Sequence, residues 1–282
     1  MASSFTTADT TTYWDRLHKF LVWATLLFLL MLSIGPLIYA LLVSFRSQSE
    51  LFTEEVYLLP KNPTLEAWSG AIESMGPYLM NSLIIAVGTA ILGLMIVIPG
   101  AYVFGRMSFP GETVSFYTIV VVMMFPFTLL IIPIAELWTQ LGLYNTIPGL
   151  WLSYQLFIAP FTMWILRDFF SKLPSNLEES AQVYGCTQFS AFARVILPLS
   201  APAIVAVGFL AFQIGWSDFL MSNFLTVGTG PRPAVVQLYL DTSGGEIHSW
   251  SLIMAEAWIV GFPPTLLYLW GRRYLSKSFE MA

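Results

Sequence analysis

The chain has 282 residues, of which 56% are hydrophobic and only 10% charged, with 22 Phe, 12 Tyr and 10 Trp. Soluble domains carry about 25% charged residues, so this apolar excess, at a mean hydropathy of +0.71, excludes a water-exposed globule and points to a bilayer. The net charge of −5 argues against nucleic acid, which calls for a basic face, and a single cysteine, Cys186, with two histidines, His18 and His248, excludes an intramolecular disulfide and a Cys/His metal cage.

Charge-free intervals locate the membrane segments, since a span needs about 20 mostly apolar residues. In chain order they cover about residues 20–43, 78–104, 116–135, 150–166, 203–220 and 250–270. The fifth holds Asp218 and the sixth holds Glu256. The first apolar run is longer than the core of a signal peptide and has no cleavage site after it, so it is expected to remain as a span. The Thr-rich start, Thr6 to Thr12, reads as a disordered tail.

Six spans put both termini on one side. Arg16, Lys19, Arg106, Arg167, Lys172, Arg194, Arg272, Arg273 and Lys277 fall on that side, against Arg46, Lys61 and Arg232 on the other. The excess of basic residues makes the terminal side cytoplasmic. The domains expected are a cytoplasmic tail over 1–19, a membrane domain over 20–271 and a second tail over 272–282. Acidic residues gather in the outer loops, at Glu50, Glu54, Glu55, Glu66, Glu73, Glu136, Asp241 and Glu246.

The loop between the fourth and fifth spans, residues 167–200, is the longest internal one facing the cytoplasm and carries its own helical signals. Ser175 and Glu178 have the spacing of a capping box, in which hydroxyl and carboxylate satisfy each other's backbone donors. Leu177, Ala181 and Tyr184 then share one face of a short helix, and Gly185 supplies the positive φ that ends it. Thr187 can cap a second helix, on which Phe189, Phe192, Ala193 and Ile196 recur at helical spacing until Pro198 stops the pattern. Two short amphipathic helices about a glycine bend, within residues 173–198, form a cytoplasmic knob.

Glu179-Ser180-Ala181, three residues, Gly185, nine residues and then Val195-Ile196-Leu197-Pro198 resemble the E-A-A-x3-G-x9-I-x-L-P loop of permease subunits of ATP-binding cassette importers. Asn81-Ser82-Leu83, the run RMSFPG from Arg106 to Gly111, LGLYNTIPGL from Leu141 to Leu150, Pro198-x3-Pro202 and Trp216-Ser217-Asp218-Phe219 are similar to the carbohydrate-uptake branch, the maltose-type permease with six spans. The chain departs from that pattern at Tyr184, where an acid is common, and in its C-terminal tail, Ser276 to Ala282, which lacks the usual glycines.

The resemblance implies an all-α membrane protein with the type I importer fold. It implies as partners a second, related permease, two ATPase subunits and an extracytoplasmic sugar-binding protein. ATP and Mg would be bound by the ATPase, since this chain has no G-x4-G-K-[ST] motif and is expected to be no enzyme and to hold no cofactor. The knob would be a coupling helix seated in an ATPase groove. Its expected contacts are Glu178, Glu179, Ser180, Ala181, Tyr184, Gly185, Phe189, Leu197 and Pro198, with Cys186 beside them. An amphipathic hairpin lying on lipid headgroups is the alternative.

For the translocation pathway the candidates are Asn81, Tyr154, Trp216, Asp218 and Glu256. Intramembrane acids are functional by default because burying them is costly, but a packing role for Asp218 or Glu256 is equally open, and Trp216 or Tyr154 could stack on a sugar ring. A secondary transporter should show repeat-related broken helices, and an intramembrane enzyme needs clustered catalytic groups; neither signature is present. An importer for another small polar solute is the nearest alternative, and the first span and LGLYNTIPGL favour sugar.

Overall fold

A computed structural model describes residues 8–51, 59–243 and 249–280, with side chains over 13–50, 59–243 and 249–272. Glu54, Glu55, Glu246, His248 and the last two residues of the C-terminal tail lie outside the described residues. The regular elements of the described residues are helices: α1 (Ala8–Ser44), α2 (Gln48–Leu51), α3 (Glu66–Arg106), α4 (Glu112–Val121), α5 (Phe127–Leu141), α6 (Ile147–Lys172), α7 (Asn176–Val183), α8 (Gln188–Ala191), α9 (Leu197–Leu199), α10 (Ala201–Ser217), α11 (Leu220–Leu225), α12 (Ala234–Ser243) and α13 (Trp250–Glu280). The helix α1 begins at Ala8, so residues 8–12, expected in a disordered tail, continue the first span backwards.

By length and composition, α1, α3, α6 and α13 can each cross a membrane, and the number rises to six if each of two bent helix pairs counts as one span. The third expected span is not straight. Phe125 is extended, with ψ 134°, as a residue before proline must be, and Pro126 opens α5. The axis turns by 99° there, between residues 112–124 and 127–141. The second loop helix, residues 188–199, meets the helix of the fifth span, residues 201–217, at 75°. The fifth-span helix ends at Ser217, so Asp218, expected inside the span, is the extended residue that terminates it.

Pro198 does not stop the second loop helix as expected. The helix widens to π hydrogen bonding over Phe192–Ile196, with Leu197 N–H donating to Phe192 O, and continues to Leu199. Pro198 has no N–H and its ring crowds the carbonyl one turn back. A wider turn relieves that conflict without ending the helix.

The chain divides into two compact units, Met1–Ala71 with Ile247–Trp258, and Ile72–Glu246 with Ile259–Ala282. In the first, Trp68 donates from Nε1 to Ser44 Oγ at 3.1 Å and stacks on Phe45, while the Glu50 carboxylate accepts the N–H groups of Lys61 and Asn62. Ser251 Oγ donates to Arg46 O at 2.7 Å. The apolar side chains along α1 are exposed almost throughout, as on a helix whose surroundings are lipid or another subunit.

In the second unit, α6 crosses α3 and α10 through two layers of side chains. One holds Ile85, Leu150, Tyr154, Ile158, Ala211, Met221 and Leu225. The other holds Val97, Tyr102, Met163, Leu166, Phe170, Ile196 and Val207, and is continuous with the loop after α6. Small residues set the crossing distance. A Cβ on Gly105 would lie 2.9 Å from Arg167 O, and one on Gly88 would fall inside the indole of Trp151, whose Nε1 donates to Ile84 O at 3.2 Å.

Candidate functional site

The loop after α6 folds as two helices on either side of a tight bend. The C-terminal turn of α7 is closed by Gly185 N–H to Gln182 O at 2.9 Å and Cys186 N–H to Ala181 O at 3.0 Å. This pair of bonds requires a left-handed residue between them, and Gly185 has φ +89°. Thr187 caps α8 by accepting from Ser190 N–H at 3.2 Å. Both features follow the expectation.

The capping box does not form. Ser175 precedes α7 in helical conformation and makes no side-chain cap bond. Glu178 turns instead to the end of α3, where its Oε2 accepts from Arg106 Nη2 at 2.7 Å and Nε at 3.1 Å, and its Oε1 accepts from Tyr102 Oη at 2.9 Å. Arg106 also donates to Leu173 O at 2.6 Å and Pro174 O at 3.1 Å. A full positive charge with two N–H donors on one carboxylate oxygen, and a hydroxyl on the other, outweighs the single backbone N–H that a capping box offers, so the carboxylate leaves its own helix terminus for the guanidinium.

This pairing sorts the expected contact residues into two sets. Glu178 and Ala181 face inward, the alanine at 8% exposure, so the close approach expected of Ala181 is made to its own chain. Tyr184 does not complete the face begun by Leu177 and Ala181: it projects outward at 89% exposure, beside Val183 at 85%. Glu179, Ser180, Gly185 and Phe189 are exposed as well, Pro198 is exposed, and Leu197 and Cys186 are half-buried. The outward surface therefore combines one acid with Val183, Tyr184 and Phe189, an apolar group that nothing in this chain covers.

Among the pathway candidates, the structure brings together Tyr154 and Asp218 only. Tyr154 Oη donates to Asp218 Oδ2 at 3.0 Å, and the same oxygen accepts from Ser222 N–H at 3.1 Å. The carboxylate thus ties α6 to the first turn of α11. Asn81, half-buried, donates to Arg232 O at 3.0 Å, and its neighbour Ser82 accepts from Ala234 N–H at 2.8 Å, which holds the segment before α12 against α3. Glu256 is buried on α13.

Trp216 is not free to stack on a ligand. Its ring is 4% exposed, lies against Phe212 with centroids 5.7 Å apart, and donates from Nε1 to Val260 O at 3.1 Å. Pro264 sits four residues beyond Val260 in α13 and has no N–H to offer that carbonyl. The indole supplies the missing donor. Tyr154, at 1% exposure, is likewise inside the packing and not on a surface where a sugar ring could lie against it.

Sequence reasoning missed Tyr102, Arg106, Gly88 and Trp151. A signal existed for the first pair: Tyr102 and Arg106 are four residues apart on one helix, hence on one face. What that face meets is 72 residues away and has no local trace.

Residues 97–280 match the model of the family described as binding-protein-dependent transport system inner membrane component. The chain belongs to that family. The permease is 34% identical over 211 residues to the diacetylchitobiose uptake system permease protein NgcG of Streptomyces coelicolor, covering 73% of this chain and 69% of that one. It is 28% identical to the trehalose transport system permease protein SugB of Mycobacterium tuberculosis, over 92% and 91% of the two chains. A bacterial transporter importing the acidic polysaccharide alginate superposes with a TM-score of 0.81 at 18% identity, over 97% of the permease and the whole of that chain. The last comparison establishes the fold, the type I importer permease, and the family match makes the permease a multi-pass inner-membrane component that works with a binding protein.

Proposed function

We propose that the permease forms, with a second and related permease, the pathway for a sugar handed over by an extracytoplasmic binding protein, in a prokaryotic cell membrane with both termini cytoplasmic. Hydrolysis of ATP with Mg takes place on two separate ATPase subunits, and the loop over residues 173–198 couples it to transport. The observation that carries this reading is the exposed set Glu179, Val183, Tyr184 and Phe189 around the left-handed Gly185, on a loop braced from behind by Arg106. A solvent-facing apolar group on a rigid mount is suited to a protein groove, with Glu179 aimed at a basic residue beside it. The uptake of diacetylchitobiose and trehalose by relatives supports sugar as the substrate class. Spans over about residues 20–43, 78–104, 116–135, 150–166, 203–220 and 250–270, between tails over 1–19 and 272–282, accompany the proposal. Asn81, Tyr154 and Asp218 then shape the wall of the pathway through the segments they join, and Glu256 through its buried place on α13.

The test is reconstitution of the permease with its neighbouring subunits. Gly185→Val has open space for its side chain, with nothing within 4 Å of the new Cβ, but a β-branched residue resists φ +89°. The expected result is an inserted permease that retains less ATPase and no longer lets sugar stimulate hydrolysis. Glu179→Ala should be milder, removing one charged contact at a solvated rim. Unchanged binding and coupling in Gly185→Val would show that the loop is not the docking element. Stimulation by amino acids or phosphate in place of sugars would reassign the substrate.

A further inference from the structure

The guanidinium of Arg106 joins three elements that are remote in sequence. It is the last residue of α3. Its Nη1 and Nη2 donate to Leu173 O and Pro174 O, where the chain leaves α6, at 2.6 and 3.1 Å. Its Nε and Nη2 grip Glu178 in the first turn of α7. Electrostatics favour each contact, because a cation is stabilised at the carbonyl end of a helix, and two guanidinium N–H groups converge on the charged Oε2 of Glu178. The pair is largely out of solvent, with Arg106 at 7% and Glu178 at 16% side-chain exposure.

Tyr102, one turn earlier on α3, completes the grip from the other carboxylate oxygen. Its ring packs against Phe192 in the second loop helix, with centroids 4.4 Å apart, and edge-on against Phe170 of α6 at 6.1 Å. A displacement of α7 or of the π segment therefore bears on α3 through Tyr102 and Arg106. The end of α6 is fastened to α3 separately, by Arg167 Nε to Phe104 O at 3.1 Å and by the absence of a side chain on Gly105.

We propose that Arg106 and Tyr102 form a latch that makes the cytoplasmic loop and the second span one mechanical unit, so that Arg106 is a positioning residue for coupling. The latch rests on the reading of the loop as the ATPase docking element and goes further, naming α3 as the span that receives the displacement. A loop fastened only by its covalent ends could pivot about residues 173–174 and 200 without moving α3. The ion pair and the Tyr102 contacts, added to the apolar packing of Phe192 and Ile196, remove that freedom.

The experiment uses the assembled importer, with partner permease, ATPase and binding protein, and reads sugar transported per ATP hydrolysed in complexes checked for full subunit content. Removing both partners together, Arg106→Met with Glu178→Leu, leaves no buried unpaired charge. This double variant should keep the ATPase bound and basal hydrolysis intact, while sugar moved per ATP falls about tenfold. Arg106→Lys keeps the charge without the fork and should give an intermediate ratio. Tyr102→Phe keeps the ring packing, loses one carboxylate bond and should lower the ratio by a smaller factor. A purely structural role would reduce the yield of assembled complex and leave the ratio alone. An unchanged ratio in the assembled double variant overturns the latch, and if that variant does not assemble, an unchanged ratio in Tyr102→Phe overturns it. Failure of the underlying docking reading is seen separately, as a Gly185→Val permease that retains the ATPase and its sugar-stimulated hydrolysis unchanged.

Discussion

The hydroxyl of Tyr154 donates to Asp218 Oδ2 at 3.0 Å, and that carboxylate oxygen also receives the N–H of Ser222. A single acid thus ends one membrane helix, starts the next short one and fastens both to α6. Asp218→Ala should leave the buried Tyr154 hydroxyl without its acceptor and cost about 1–2 kcal/mol, whereas Asp218→Asn keeps an acceptor oxygen and should cost less. Thermal unfolding of the purified complex in detergent checks this. Equal loss in the two variants would mean that the charge, rather than the hydrogen bonds, is what matters.

Gly88 should tolerate no side chain while Trp151 is present. Elsewhere in an exposed helix, Gly→Ala stabilises by about 1 kcal/mol. Here a Cβ would overlap the indole and dislodge it from Ile84 O. Gly88→Ala should therefore destabilise, by about 1–3 kcal/mol as for other overpacked sites. In a Trp151→Ala background the same change should become neutral or favourable, and this non-additivity, read from melting temperatures of the four variants, tests the contact.

Trp216→Phe preserves most of the aromatic packing on Phe212 but removes the donor to Val260 O, a carbonyl that Pro264 cannot serve. The expected cost is about 1 kcal/mol in stability. Transport affinity for sugar should be unchanged, because the ring is interior. A rise in the sugar concentration needed for half-maximal transport, without loss of stability, would return Trp216 to the pathway.

The proposed orientation is testable by labelling in a Cys186→Ser background. Cysteines replacing Glu66 and Ser243 should react with an impermeant thiol reagent added outside intact cells, and one replacing Thr113 should react only after lysis. The reverse pattern would put the loop around Gly185 on the wrong side for an ATPase.

The helical membrane architecture, the positions of the apolar segments and the bend at Gly185 were legible in the sequence because each depends on short-range properties. These are the length of an uncharged run, the spacing of apolar residues along a helix, and the φ that glycine alone adopts without strain. The 99° break at Pro126 was written in the same local terms and could have been read from the Phe125-Pro126 pair, but a hydropathy window averages over it. Two other local signals were overridden. Ser175 and Glu178 have the spacing of a cap, yet Glu178 belongs to Arg106, and Pro198 has the look of a stop, yet the helix passes it as a π turn. The side-chain partners Tyr102 and Arg106 of Glu178, Tyr154 of Asp218 and the carbonyl partner Val260 of Trp216 lie between 44 and 76 residues away in sequence. Only tertiary packing brings those groups within 3 Å or so of each other, and in a dry interior a polar group takes whichever partner satisfies it best, regardless of the motif in which it stands.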